Sequence, residues 1–167
     1  MQTLWNVVRT AAFLLIMWSV WLVAVPLAIS IVEVRIGIQR FPPQWWLAGP
    51  LLLLSTLLAV WAALTLALAG GGTPANFAPT RTLVTTGPYA FVRHPFAIGL
   101  TGQIAALGIA LGSIPVIVYA AAGFVVWYYV VRPREERALD SRFGDPARAW
   151  RRRVRGFRPT LHRRKRS

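Results

Sequence analysis

The chain has 167 residues, 56% of them hydrophobic, and carries a formal net charge of +14 with no cysteine. These values exclude intrinsic disorder, a disulfide scaffold, a cysteine-ligated metal site and a cysteine nucleophile. The high apolar content, with most of the charge near one end, indicates an all-α, polytopic membrane helical bundle and not a soluble domain.

Uncharged stretches of sequence predict the membrane-spanning helices. An α-helix rises about 1.5 Å per residue, so about 20 apolar residues cross the hydrocarbon core. One uncharged run, from Pro95 to Val131, is too long for a single crossing, and turn residues around Gly112 divide it into a tight helical hairpin. The four predicted spans are residues 10–32, 46–69, 96–111 and 114–131.

Three local features refine these helices. Pro26 predicts a kink in the first span, which is too long and lacks the small-residue cleavage site of a signal peptide, so we expect it in the mature protein. Residues 70–95 contain four prolines and predict a loop outside the lipid. Gly108 and Gly112 are spaced for close helix packing.

The composition changes abruptly after the last span. Residues 132–167 hold 14 of the 19 basic residues and 4 of the 5 acidic ones, and they form a basic amphipathic segment distinct from the membrane domain, residues 1–131. Two short helices are predicted there, separated at Gly144, with Asp145 as the N-cap and Pro146 first in the second helix. In that helix Trp150, Val154 and Phe157 share an apolar face, which predicts a place at the membrane interface.

The basic segment also predicts topology and partners. Basic residues favour the cytoplasmic side, so both termini of this multi-pass protein are expected in the cytoplasm. Arginine clusters next to a membrane bind anionic lipids, and this reading predicts membrane lipids as partners and no nucleic acid. The sequence does not fix an oligomeric state.

The hairpin geometry predicts a polar site at one membrane face. A hairpin from Pro95 to Val131 returns the chain to the face it left, so Arg93 and His94 are expected close to Glu135 and Glu136. Such a cluster can bind a polar ligand while the apolar helices admit a lipid-like one. Taken singly, each group also fits anchoring at a helix end. With His162 as the only other histidine and no cysteine, no metal site is expected.

The ordered motif Gly-x-Tyr-x-x-x-Arg-His-Pro at residues 87–95, followed by an apolar hairpin and Glu-Glu before Phe143-Gly144, resembles the isoprenylcysteine carboxyl methyltransferase and phospholipid methyltransferase superfamily. The resemblance covers about residues 73–159 and implies an integral membrane methyltransferase that uses S-adenosylmethionine. It implies Arg93 and His94 as candidate catalytic residues. It places cofactor binding on Tyr89, Arg93, His94, Pro95, Gly99, Glu135 and Glu136, with the basic segment completing the site.

The sequence departs from the superfamily pattern at three positions, because Ala97, Ala147 and Trp150 stand where tyrosine is usual. The methyl acceptor is open: a prenylated carboxylate, a lipid amine and a small thiol all fit a lipophilic or small acceptor. Two alternatives follow, a catalytically silent membrane scaffold and an anionic-lipid-interacting protein of the same fold.

Overall fold

The computed structural model describes residues 2–71, 80–154 and 156, and these residues form helices and no strand. The predicted all-helical membrane bundle is thereby confirmed. Its elements are α1 (Gln2–Trp18), a π turn (Ser19–Ala24), α2 (Val25–Arg35), α3 (Trp45–Ala69), a 3₁₀ turn (Gly87–Ala90), α4 (Pro95–Leu111), α5 (Ile114–Val126), a second π turn (Trp127–Val131), α6 (Arg132–Phe143) and α7 (Asp145–Arg153).

Two long helical segments each contain a π turn shortly before a proline. The first π turn joins α1 to α2 and ends two residues before Pro26, where the sequence predicts a kink. The second joins α5 to α6 and ends two residues before Pro133. Proline has no backbone N–H to continue the regular helical bonding, and a local change of hydrogen-bond period accommodates it.

Small side chains occupy the interior of the bundle, and large apolar side chains face outward. The most extensive helix contact is between α3 and α4. A Cβ added at Gly99 of α4 would lie 2.8 Å from the Ser55 carbonyl oxygen and 2.9 Å from Ala59 Cβ, so the two backbones approach closely. Lipid chains are as apolar as leucine, so burial of apolar side chains does not drive helices together in a membrane. Close contact depends instead on small residues that let the two backbones approach. The outward-facing residues include Leu53, Leu54, Leu57, Trp61 and Leu68.

The turn of the α4–α5 hairpin is built around Gly112, which has a positive φ of 64°. A Cβ there would lie 2.0 Å from the Phe41 carbonyl oxygen, and the Phe41 N–H donates to the Gly112 carbonyl at 3.0 Å. Ser113 caps α5 by accepting a hydrogen bond from the Val116 N–H at 3.2 Å. Gly108 allows close approach to Ile117 of α5. The predicted close packing at these glycines therefore exists, with α5 and with the loop before α3.

Three helical stretches in the described residues are long and apolar enough to cross a membrane, Leu4–Arg35, Trp45–Ala69 and Ile114–Phe143, and Pro95–Leu111 is a shorter apolar helix. The helical stretches around the first and fourth predicted spans run past those spans, although the predicted bounds of the second and third are within one residue of α3 and α4. Four crossings remain the prediction.

A polar cluster where α4 begins

The loop before α4 positions three of the predicted site residues. Gly87 starts its 3₁₀ turn with a φ of 58°, and a Cβ there would lie 2.9 Å from Thr65 Oγ1 of α3. Tyr89 follows in the same turn and is buried. Pro95 is the first residue of α4, where its missing N–H costs no helical hydrogen bond, and it places His94 directly before the helix.

The two polar segments that the hairpin geometry predicts to be neighbours do meet. Arg93 Nη1 donates to Glu136 Oε1 at 2.9 Å. His94 lies between the two carboxylates, with Nε2 at 3.4 Å from Glu136 Oε1 and Nδ1 at 3.5 Å from Glu135 Oε2. The loop before α4 and the first turns of α6 thus form one cluster, called the polar cluster below, consisting of Arg93, His94, Arg132, Glu135 and Glu136.

The two carboxylates have different surroundings. Among the described residues, Glu136 contacts three guanidinium groups and a histidine ring, those of Arg93, Arg132, Arg151 and His94, while Glu135 contacts His94 alone. The Glu135 side chain is also the more exposed, at 29% against 16% for Glu136.

Aromatic rings border the cluster on the side of the second π turn. The His94 ring meets the edge of Trp127, with 4.9 Å between centroids, and the Arg132 guanidinium lies 4.6 Å from the centroid of Tyr128. Aromatic faces attract cations, so Tyr128 stabilises the Arg132 guanidinium.

Burial shifts the pKa values of two groups in the loop. Burial, followed by the negative charge of Glu135, raises the pKa of the Tyr89 phenol, so Tyr89 stays protonated throughout the physiological range. Burial lowers the pKa of Arg93, and the Glu136 carboxylate opposes that shift. The guanidinium nevertheless remains charged, since its ordinary pKa is far above neutrality.

The remaining predicted residues, Pro95 and Gly99, are buried in the helix packing. Gly99 lies one turn into α4, and its missing side chain faces the α3 backbone. Both residues position the polar cluster through the backbone of α4, and their contact with a cofactor stays a prediction.

The short helix α7 closes over the loop, and two corrections apply to it. Gly144, and not Asp145, is its N-cap, while Asp145 pairs with Arg148 at 3.1 Å. Trp150 and Val154 are buried against Ala62, Val84 and Tyr89 of the protein, where the sequence predicts a lipid interface. Phe157, predicted to share their face, lies outside the described residues. Ala147 is fully buried on the same helix, so its small side chain allows α7 to lie close to the bundle.

Two hydrogen bonds and a cavity mark the contact of α7 with the loop. Trp150 Nε1 donates to the Tyr89 carbonyl at 3.1 Å, and the Arg93 N–H donates to the Gly156 carbonyl at 3.3 Å. Beside them is a cavity of about 300 Å³, with a largely apolar lining formed by Thr85, Ala90, Phe91, Trp150, Arg153 and Val154.

Sequence reasoning missed two participants, Arg151 and Trp127. In the sequence, Arg151 is one of many arginines of the basic segment. In the structure its Nη1 lies 3.5 Å from Glu136 Oε2, and its Nη2 contacts Asp140. Trp127 reads as an ordinary membrane aromatic. The amphipathic pattern of α7 indicates that Trp150 is buried, but it does not decide which neighbouring arginine faces α6.

No group of three or more His, Cys, Asp or Glu side chains that could hold a metal ion occurs among residues 2–71, 80–154 and 156. The site is therefore described by its ion pairs, its aromatic border and its position at one end of a membrane helical bundle. Together these features define a helical membrane protein with a cluster of charged and polar side chains at one end of the bundle.

Residues 43–146, more than half of the chain, match the phospholipid methyltransferase family. The chain therefore belongs to this family, which is part of the isoprenylcysteine carboxyl methyltransferase-like superfamily of membrane methyltransferases. It is also similar to the cobalt-zinc-cadmium resistance protein CzcN of Cupriavidus metallidurans, with 34% identity over 151 residues. That match covers 86% of this chain and 63% of the relative, so the chain spans less than two thirds of the relative's length. No solved structure matches the chain.

Proposed function

We propose that this protein is an S-adenosylmethionine-dependent membrane methyltransferase whose acceptor is a lipophilic or small molecule. The observation that supports the proposal most is the polar cluster, which joins a histidine, two carboxylates and guanidinium groups at one end of a membrane bundle. Taking charged groups out of water is costly even when they are paired. A protein that serves only as a scaffold therefore has no need for such a cluster.

The chemistry of these groups fits the cofactor. Its ammonium and ribose hydroxyls donate hydrogen bonds, which Glu135 can accept. Its carboxylate suits a guanidinium, and the buried Nε of Arg93 has no hydrogen-bond partner in the described part of the chain. Tyr89, Arg93, His94, Pro95, Gly99, Glu135 and Glu136 remain the residues proposed to form the cofactor site, by direct contact or by positioning those that contact it. When bound, S-adenosylmethionine supplies an activated methyl group, and the acceptor's lone pair bonds to the methyl carbon as the carbon–sulfur bond breaks.

The residues of this chain would act mainly by positioning. The ion pairs of Glu136 fix Arg93 and Arg132, and the rings of Trp127 and Tyr128 contact His94 and Arg132. A carboxylate acceptor is ionised at neutral pH and needs no base, whereas an amine or thiol must lose a proton. His94 is the candidate base for such an acceptor, since a neutral ring nitrogen can take that proton.

The test is S-adenosylmethionine binding to the protein purified in lipid nanodiscs. We expect saturable binding that is lost in Glu135→Gln and His94→Ala. Asp145→Asn is the matched control, because it removes a carboxylate that is 92% exposed and pairs only with Arg148 in the described residues. Absence of binding by folded wild-type protein, or undiminished binding in both site variants, would contradict the proposal.

The silent scaffold is the second candidate, and Ala97 is the departure that favours it, since the usual hydroxyl is missing there. The same experiment separates the two functions, because a scaffold retains its fold without binding the cofactor. Binding that persists while no carboxylate, amine or thiol acceptor is methylated would also favour the scaffold.

We also propose that both termini face the cytoplasm with four crossings. The chain has no native cysteine, so single cysteines report topology cleanly. A cysteine at the exposed residue 39 should react with an impermeant maleimide in intact cells, whereas one at residue 167 should react only after lysis. The reverse pattern would overturn this orientation.

A further inference from the structure

Glu136 is surrounded by three guanidinium groups and the His94 ring, and this number of partners distinguishes it from Glu135. Its Oε1 contacts Arg93 at 2.9 Å, Arg132 at 3.1 Å and His94 at 3.4 Å, and its Oε2 contacts Arg151 at 3.5 Å. Both carboxylate oxygens are therefore engaged. The hydrogen bonds concentrate on Oε1, and Glu136 is also the less exposed of the two, so it has less capacity than Glu135 to accept hydrogen bonds from a ligand.

Arg151 is the one member of this set that comes from α7. Its guanidinium spans two acidic residues of α6, Glu136 and Asp140, which are one helical turn apart. The side chain is 22% exposed, so the contacts are partly shielded from water. The geometry of a guanidinium, with several N–H donors in one plane, suits such a bridge.

The docking of α7 does not depend on Arg151 alone. Trp150 and Val154 are buried against the bundle, and Trp150 Nε1 donates to the Tyr89 carbonyl. Gly144, with a positive φ of 58°, allows the sharp turn that brings α7 back against α6. Removing the Arg151 guanidinium is therefore expected to leave α7 in place while releasing one oxygen of Glu136.

We propose that Arg151 is a positioning residue that holds Glu136 against Arg93, Arg132 and His94. Glu135 is then the carboxylate that contacts the cofactor. This inference rests on the proposed function. It assigns the two adjacent glutamates different tasks: Glu136 fixes Arg93 and His94, and Glu135 accepts from the ligand. Arg151 acts on the ligand only through Glu136.

The experiment measures S-adenosylmethionine affinity and hydrogen exchange for Arg151→Gln, with Arg152→Gln as the matched control because Arg152 is exposed and has no partner in the described residues. We expect Arg151→Gln to weaken binding about tenfold and Arg152→Gln to leave it unchanged. Arg151→Lys keeps the charge near Glu136 and should stay within about threefold of wild type.

A double variant tests the route of the effect. If Arg151 acts through Glu136, adding Arg151→Gln to a Glu136→Gln protein should weaken binding by no more than about twofold. Hydrogen exchange of residues 145–154 should stay as in wild type, while exchange of residues 89–94 rises. If the affinity loss of the double variant equals the product of the two single losses, the inference is overturned. Faster hydrogen exchange throughout α7 in Arg151→Gln would also overturn it.

The exchange measurement also separates this inference from the proposed function. If the wild-type protein binds no S-adenosylmethionine, the proposed function fails. The positioning role is then still decided by exchange at residues 89–94, because Arg151→Gln raises it if Arg151 orders the polar cluster. Unchanged exchange there overturns the positioning role.

Discussion

Replacing Gly99 with alanine tests how closely α3 and α4 approach beside the polar cluster. The new Cβ would lie 2.8 Å from the Ser55 carbonyl oxygen and 2.9 Å from the backbone N of Ala59. Non-bonded heavy atoms prefer about 3.5 Å or more, so the helices must separate by more than about half an ångström. Overpacking of this kind costs about 1–3 kcal/mol of unfolding free energy.

Gly123→Ala is the matched control, because Gly123 also lies within a helix but a Cβ there meets nothing within 4 Å. Alanine favours a helix over glycine by about 1 kcal/mol, so this control should be neutral or stabilising. The same preference applies to alanine at Gly99, so it cancels and the two variants are expected to differ by the overpacking cost of about 1–3 kcal/mol in unfolding free energy.

The assay is unfolding in mixed micelles by titration with sodium dodecyl sulfate, followed by tryptophan fluorescence. The same samples should be tested for S-adenosylmethionine binding, because the family resemblance assigns Gly99 to cofactor contact. Equal stability of Gly99→Ala and Gly123→Ala would refute the packing argument. Equal stability with weakened binding would assign Gly99 to the ligand.

Three further variants test other contacts. Gln103→Leu removes a buried hydrogen bond of 2.9 Å to Thr56 and should cost about 0.6–2 kcal/mol in the same unfolding assay. Gly112→Ala should cost at least about 2 kcal/mol there, because it combines a left-handed φ with a clash at the Phe41 carbonyl. Trp150→Ala empties a buried site and should release α7, seen as faster hydrogen exchange of residues 145–154; unchanged exchange would show that α7 is held by other contacts.

The membrane helices could be predicted from the sequence because lack of charge marks the lipid-facing segments directly. The bounds of α3 and α4 agree with the predicted spans within one residue. The first helix was predicted as residues 10–32, yet it is helical over residues 2–35 and includes Arg9 and Glu33. Charged residues mark where the lipid-facing segment ends and not where the helix ends. The helix can contain Glu33 because this side chain faces the protein interior and pairs with Arg40 at 3.3 Å.

The candidate site could be predicted in part. A helical hairpin returns the chain to the membrane face it left. This alone predicts that Arg93 and His94 lie near Glu135 and Glu136. The role of Arg151 could not be predicted, since it depends on the angle at which α7 leaves Gly144. The burial of Trp150 in protein was missed for the same reason, because an apolar helix face looks alike whether lipid or protein covers it.

The π turn at Trp127–Val131 sets the rotational phase of the helix that carries both carboxylates. A π turn holds one more residue than the same stretch of α-helix, and each residue of an α-helix advances the chain by about 100° and 1.5 Å. If this stretch were regular α-helix, each residue of α6 would lie about 100° further around the axis, so Glu135 would take the present position of Glu136 and Glu136 that of Arg137. Local unwinding within the membrane helix therefore controls whether the two halves of the site are aligned.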